Sequence, residues 1–306
     1  MQSDPTGVLV GVELGGTKIV VASSADGVVL DARERLPTTE PGTTLAAIQA
    51  SIHNVSGGEA ISAIGIASFG PIDLRRNSGS FGRLISTPKP GWSGIDVVGG
   101  ITNGFDAPFA LDTDVNAAVM AETRFGAGTG FDHVLYLTVG TGLGGGIWSN
   151  GRVVHGANHP EIGHVRVARQ PHDHHVSSCP FHDDCLEGMA SGTAMKHRWG
   201  RPADVLGSDT SAATQLEARY LANGIAVLCS VVPVEVVIIG GGVSKLDRLH
   251  QYVAESLSDA SGMYPPVPFA EGGPLIVPPG LGDDSGVRGA IEIAKLAISE
   301  SEETRE

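Results

Sequence analysis

The sequence predicts an α/β protein made of two similar domains, and three features carry that expectation. A strand–turn–strand–turn–strand pattern occurs twice along the chain. In each copy a Gly-Thr-rich break separates the first two apolar runs. Helical periodicity occupies much of the remainder. The 306 residues are 41% hydrophobic and 18% charged, which is enough to bury a large core.

The first copy spans residues 7 to 36. VLVGVEL is apolar and β-branched, GG interrupts it, TKIVVASS resumes, ADG turns, and VVLDARERL continues. A helix is expected over TTLAAIQASIHNV, a buried strand over AISAIGIAS, and loop through NSGSFGRLISTPKPGWSG. APFALDTD reads as a strand feeding a helix over VNAAVMAETRFG. HVLYLTVGTGLGGGIWSNGRVVHG then repeats the opening plan, with SNG where ADG stood. The plain alternative is two unrelated meanders; the duplicated reading puts a domain boundary near residues 120–130, with a ligand between the halves. Helices over SAATQLEARYLANGIAVLCSVV, KLDRLHQYVAESL and GVRGAIEIAKLAISES and a strand at VEVVIIGGG complete the pass.

A formal net charge of -14 disfavours nucleic acid and anionic membrane surfaces as partners. It does not oppose phosphate ligands, which bind local backbone amides. MQSDPTG has no basic and apolar signal-peptide pattern, and no run of 18 apolar residues marks a membrane span. Three cysteines make no disulfide framework, so a reducing, cytoplasmic setting is the simplest expectation.

Two familiar motifs are formal matches only. GTGLGG (Gly140, Gly142, Gly145) has G-x-G-x-x-G spacing, but strand, not helix, is expected after it. Gly11 to Lys18 has P-loop spacing but ends Gly-Thr-Lys and also runs into a strand. What remains are two Gly-Thr turns, Gly15-Gly16-Thr17-Lys18 and Gly140-Thr141-Gly142. They are either ordinary hairpin turns or paired phosphate grips, in which backbone N–H groups, threonine hydroxyls and the Lys18 charge face phosphate oxygens. Gly241 and Gly242 follow an apolar strand and suit either close approach of a nucleotide or a tight turn. Asp114, where strand gives way to helix, is either an N-cap or a general base. Glu161 and Glu187 taken alone are solvated charges. Cys179, His182 and Cys185 have the spacing of tetrahedral zinc ligands and need a fourth, from among His159, His164, His172, His174 and His175. HDHH at 172–175 is a second metal cluster or, more simply, a solvated loop.

Together ELGGTK, GIASFGPID, TPKPGW, DTDVNAA, TVGTGLGGG, HPEIGH, CPFHDDCLEGMASG and IIGGGV resemble, in order, the ROK family of sugar kinases. The resemblance runs from about residue 8 to 295, and CPFH-x-x-C with FGPID is most similar to the bacterial ROK fructokinases. It implies a duplicated actin-like, hexokinase-like (ribonuclease H-like) α/β fold with a central cleft. The expected domains are 1–122, joined by a helix at 287–300, and 123–286 with the zinc loop. It implies ATP-dependent phosphorylation of a hexose 6-hydroxyl, fructose first, with glucose or mannose as alternatives. Asp114 would be the base, Mg²⁺ would accompany ATP, and the two Gly-Thr turns with Gly241 and Gly242 would hold the nucleotide. Gly70, Thr113, Glu161, His164 and Glu187 would meet the sugar, and His164 would complete a structural zinc site with Cys179, His182 and Cys185. Thr113 stands where the family usually has Asn, and Glu13 where the wider fold commonly has Asp. A homodimer is the expected assembly, with domain closure excluding water. ROK repressors carry a DNA-binding segment ahead of the first Gly turn. Only about a dozen residues precede ELGGTK here, so that reading is set aside.

Overall fold

The computed structural model describes residues 7–206, 210–261 and 274–303. The chain divides into two compact units. Unit 1 takes Met1–Ala121, His155–His159 and Asp284–Glu306; unit 2 takes Glu122–Val154 and Pro160–Asp283.

In unit 1, β1 (Val8–Leu14), β2 (Lys18–Ser24) and β3 (Ala32–Pro37) form an antiparallel meander, and β4 (Ile61–Ser68) and β5 (Phe109–Thr113) extend it in parallel beyond β1. The strand order is β3-β2-β1-β4-β5. In unit 2, β6 (His133–Val139), β7 (Leu143–Ser149) and β8 (Arg152–Val153) form the meander, and β9 (Val236–Gly240) and β10 (Leu275–Val277) add in parallel beyond β6. Its order, β10-β9-β6-β7-β8, is the same topology strand for strand. The repeated hairpin read from the sequence is a repeated sheet.

Alternation along β1 sorts its side chains to two cores. Val8, Val10, Val12 and Leu14 pack with Ile48, Ile52 and Val55 of α1 (Pro41–Ser56) and Ile101 of α2 (Val97–Thr102). Leu9 packs with Ala117 of α3 (Asp114–Phe125) and Ala290, Ile291 and Ala294 of α8 (Ser285–Glu303). Both faces are covered, so these strands read as unbroken apolar runs. Unit 2 has one large core, formed by β6 and β9 with α4 (Leu186–Ala190), α5 (Gly192–Trp199), α6 (Thr210–Cys229) and α7 (Leu249–Ala260). No helix among the described residues is long and apolar enough to cross a membrane.

Turn chemistry separates the two repeats. β7 and β8 are joined by Asn150 and Gly151 at φ 52° and 81°, the two positive values a tight hairpin needs. Between β2 and β3 the expected strand VVL is instead loop with Val28 and Val29 exposed: Asp26 Oδ1 accepts the N–H groups of Val28 and Val29 at 2.7 and 2.8 Å. Those N–H groups are thereby withdrawn from the ladder, and β3 starts at Ala32. His155–His159 return to unit 1 because Asn158 Oδ1 accepts Leu74 N–H (3.0 Å), its Nδ2 donates to Ile72 O (2.9 Å), and His159 Nε2 accepts Ile72 N–H (3.1 Å).

α8 lies against the sheet so closely that a Cβ at Gly65 would fall 1.9 Å from Ala290 O. Gly65→Ala should therefore force α8 away from β4 and destabilise the protein by about 1–3 kcal/mol. Urea denaturation of wild type and variant measures this; an unchanged midpoint would show that the helix docks less tightly.

Candidate functional site

The first Gly-Thr turn lies between β1 and β2, and donors from elsewhere in unit 1 occupy its carbonyl oxygens. Thr38 Oγ1 donates to Gly15 O at 2.7 Å, Lys89 Nζ to Gly16 O at 2.7 Å, and Thr38 N to Thr17 O at 3.0 Å. The C=O of a trans peptide opposes the following N–H. The N–H groups of Gly16 and Thr17 therefore face away from these donors, and neither has a partner among the described residues. Gly16, Thr17 and Lys18 are exposed.

The second turn repeats the device in unit 2. Gly192 N donates to Gly140 O at 2.7 Å, Thr193 Oγ1 to Thr141 O at 2.8 Å, and Gly140 N to Gly142 O at 2.9 Å. Thr141 and Gly142 keep their N–H groups unpartnered and exposed. The Gly192 and Thr193 donors come from the first turn of α5, capped by Ser191 Oγ on Ala194 N at 3.2 Å. Gly241, at φ 88°, lies against β6, where a Cβ would sit 2.4 Å from Val139 O. This brings Gly241 and Gly242 beside Gly140.

Asp114 opens α3 at the end of β5, half-buried. The cap of this helix is its neighbour: Thr113 Oγ1 accepts Asn116 N–H at 3.2 Å, while Asp114 Oδ1 accepts the adjacent Val115 N–H at 2.9 Å. Asp112, two residues earlier in β5, is buried. Its Oδ1 accepts Thr113 N–H (2.7 Å) and Asn116 Nδ2 (2.7 Å), and its Oδ2 lies 2.9 Å from His155 Nε2. The bond to Asp112 raises the His155 pKa, against an opposing effect of burial. Gly70 follows β4, where Phe69 N–H donates to Leu14 O at 2.8 Å beside the first turn. Glu13 is half-buried in β1, its carboxylate against Gly286.

In unit 2, one ligand atom from each of His164, Cys179, His182 and Cys185 lies within 4.8 Å of the others. Of the five histidines open as the fourth ligand, the fold brings in His164. The Nδ1 atoms of His164 and His182 are 3.8 and 3.7 Å from Cys179 Sγ. A tetrahedral zinc with ordinary Zn–S and Zn–N bonds places S and N about 3.6 Å apart. The Phe181 and Gly188 N–H groups point at the sulfurs of Cys179 and Cys185, at 3.5 and 3.4 Å. Burial pushes the Cys185 thiol up to about 11, and a bound dication would reverse that and hold the thiolate. The donor set fits zinc. His172–His175 form no second set among the described residues, and the loop is less solvated than expected: Asp173 is buried against Arg198 (3.1 Å).

Glu187 lies two residues beyond Cys185, in the first turn of α4, and its Oε2 accepts Leu143 N–H at 3.0 Å. The metal knot and the second Gly-Thr turn are thus joined through one carboxylate. Glu161 is exposed just before the short 3-10 helix Ile162–His164, its carbonyl accepting His164 N–H at 3.0 Å.

A model of the ROK family matches residues 9–297. The chain belongs to the ROK family. Among ROK relatives, it is 36% identical over 296 residues to a putative fructokinase of Bacillus subtilis (strain 168), covering 95% of this chain and 96% of the other. It is 37% identical over 290 residues to a fructokinase of Zymomonas mobilis subsp. mobilis, covering 94% and 96%. A solved ROK glucokinase from Streptomyces griseus, in complex with glucose and AMPPNP, superposes with a TM-score of 0.75 at 26% identity, covering 95% of this chain and 100% of that one. The fold is the duplicated actin-like α/β fold of the ROK proteins.

Sequence reasoning missed Lys89, Thr193 and His155, and it took Asp112 as a possible polar lining residue without a role. Ser191 before a helical run was a readable cap signal that would have placed Thr193; the others depend on tertiary contacts.

Two outcomes check this geometry. As purified, the protein should hold about one zinc per chain, and Cys179→Ser should lose it and lower the Tm, by metal analysis and calorimetry. A His155 pKa raised by folding stabilises the protein fully below about pH 6.5 and less as pH rises through the folded value. His155→Gln should therefore lower the Tm more at about pH 5.5 than at about pH 8; equal losses at both would count against the ion pair.

Proposed function

We propose that this protein is an ATP-dependent hexose kinase acting on the sugar 6-hydroxyl, with D-fructose as its substrate. The observation that carries the reading is the pair of Gly-Thr turns, each with its carbonyls engaged and two successive N–H groups facing solvent. That is an anion-binding arrangement, and it occurs in both repeats. Gly241 and Gly242 give the nucleotide a surface without side chains beside the second turn.

Phosphoryl transfer needs positioning and charge neutralisation more than covalent help. Asp114 accepts the proton of the attacking hydroxyl, and the cap at Thr113 spares it from closing the helix. Thr113 contributes a hydroxyl where the family usually has an amide, and Gly70 lets the sugar approach the backbone. Glu161, His164 and Glu187 hold the sugar hydroxyls. Glu187 uses Oε2 for Leu143 and keeps Oε1, and His164 turns Nδ1 to the metal knot and keeps Nε2. Mg²⁺ carried with ATP would neutralise the phosphates, and Glu13 is the carboxylate suited to hold its water shell. Zinc closed by four protein ligands would be scaffolding only.

The curated fructokinase relatives support fructose; the likeness to a glucokinase solved with glucose supports glucose as a second reading. The cysteines are free and buried, which fits a reducing cytoplasm, and a homodimer is the assembly we propose. A coupled assay of ATP consumption over fructose, glucose and mannose should give fructose the highest kcat/KM. Asp114→Asn should lower kcat by about 10²–10⁴-fold with sugar binding retained. Substantial residual turnover would refute its role as base, and a preference for glucose would favour the second reading.

A further inference from the structure

The first Gly-Thr turn is held by a residue from a distant loop. Trp92 is fully buried, its indole N–H donates to Thr39 O at 3.0 Å, and its ring meets Phe69 edge-on at 5.3 Å. This fixes residues 87–94 against the segment whose Thr38 already engages Gly15 and Thr17. Lys89, on the anchored loop, reaches the one carbonyl that Thr38 leaves, Gly16 O, at 2.7 Å.

That carbonyl belongs to the peptide most able to rotate. A Cβ at Gly16 would meet nothing within 4 Å, so packing does not require a glycine there. What the glycine adds is freedom for the Gly16–Thr17 peptide to flip. In one orientation the Thr17 N–H faces the solvent side of the turn; in the other a carbonyl oxygen does, and it would repel phosphate. A charge-assisted bond from Lys89 selects the first. No other cationic side chain engages a carbonyl of this turn among the described residues.

We propose that Lys89 is a positioning residue of the nucleotide-phosphate site, its ammonium locking the Gly16–Thr17 peptide so that the Gly16 and Thr17 N–H groups stand ready for a phosphate. The proposal rests on the kinase reading. Lys89 moves no proton; it works through the turn and adds positive charge beside Lys18.

The test uses the full chain as wild type, Lys89→Met and Lys89→Arg. Binding of Mg-ATP and of fructose is measured separately by calorimetry, alongside steady-state kinetics and Tm. Lys89→Met should weaken Mg-ATP binding and raise KM for ATP by about ten- to a hundredfold, the worth of one hydrogen bond to a charged group. Fructose affinity and Tm should not move, and Lys89→Arg should recover most of the loss. Unchanged Mg-ATP affinity in Lys89→Met would overturn the proposal. So would parallel losses of ATP affinity, fructose affinity and Tm, which mark a merely structural residue. A wild type that binds Mg-ATP but phosphorylates no hexose would instead overturn the kinase reading, with the Mg-ATP comparison still deciding for or against Lys89.

Discussion

A peptide group cannot present its carbonyl and the following N–H to the same side, and the two Gly-Thr turns we propose as phosphate grips depend on that constraint. In each sheet the turn joining the first two strands has its carbonyls taken up by other parts of the unit. Unit 1 uses Thr38 and Lys89, and unit 2 uses the first turn of α5. The N–H groups facing the other way follow from geometry and need no further side chains. The same outcome is reached by unrelated local means, so what the two repeats share is the hairpin and not its supports.

The metal knot belongs to the same scheme. Cys185 caps α4, and Glu187 in the first turn of that helix reaches the N–H of Leu143, directly after the second Gly-Thr turn. Gly163 completes the join, since a Cβ there would sit 2.0 Å from Leu143 O. Glu187, the His164, Cys179, His182 and Cys185 cluster and the second Gly-Thr turn therefore share one neighbourhood in unit 2. The loop is held by the Asp173 pairing with Arg198 and Tyr220, and a metal on the four clustered residues, which span 22 residues of chain, would add a second cross-link.

The repeated sheets were legible because a strand–GT–strand–turn–strand pattern is local, and each piece carries its own turn residues. The cluster of Cys179, His182 and Cys185 was legible for the same reason. The fourth candidate ligand was narrowed by resemblance alone; in the fold the short helix at His164 lies beside the cysteines. Thr113 and Asp114 are adjacent residues that can both cap a helix, and only backbone geometry assigns the cap to Thr113. Lys89 meets a carbonyl 73 residues away, and His155 meets Asp112 across 43. Neither pairing has a periodic signature, because each depends on how loops return to a sheet.

The position of α8 has a consequence for how the chain is made. Unit 1 holds residues on both sides of unit 2 in the sequence, and the helix that covers Leu9, Ala63 and Ala67 comes last. All five strands of the unit 1 sheet leave the ribosome before unit 2 begins. At ordinary rates of synthesis, that apolar face then waits roughly ten to thirty seconds for its cover. During that interval Leu9, Ala63 and Ala67 have only Ala117 and Met120 of α3 from among the helices of their cluster. Gly65, which lets α8 dock so closely, adds no side chain to that face, and the apolar surface left there is one that a nascent-chain chaperone is suited to shield.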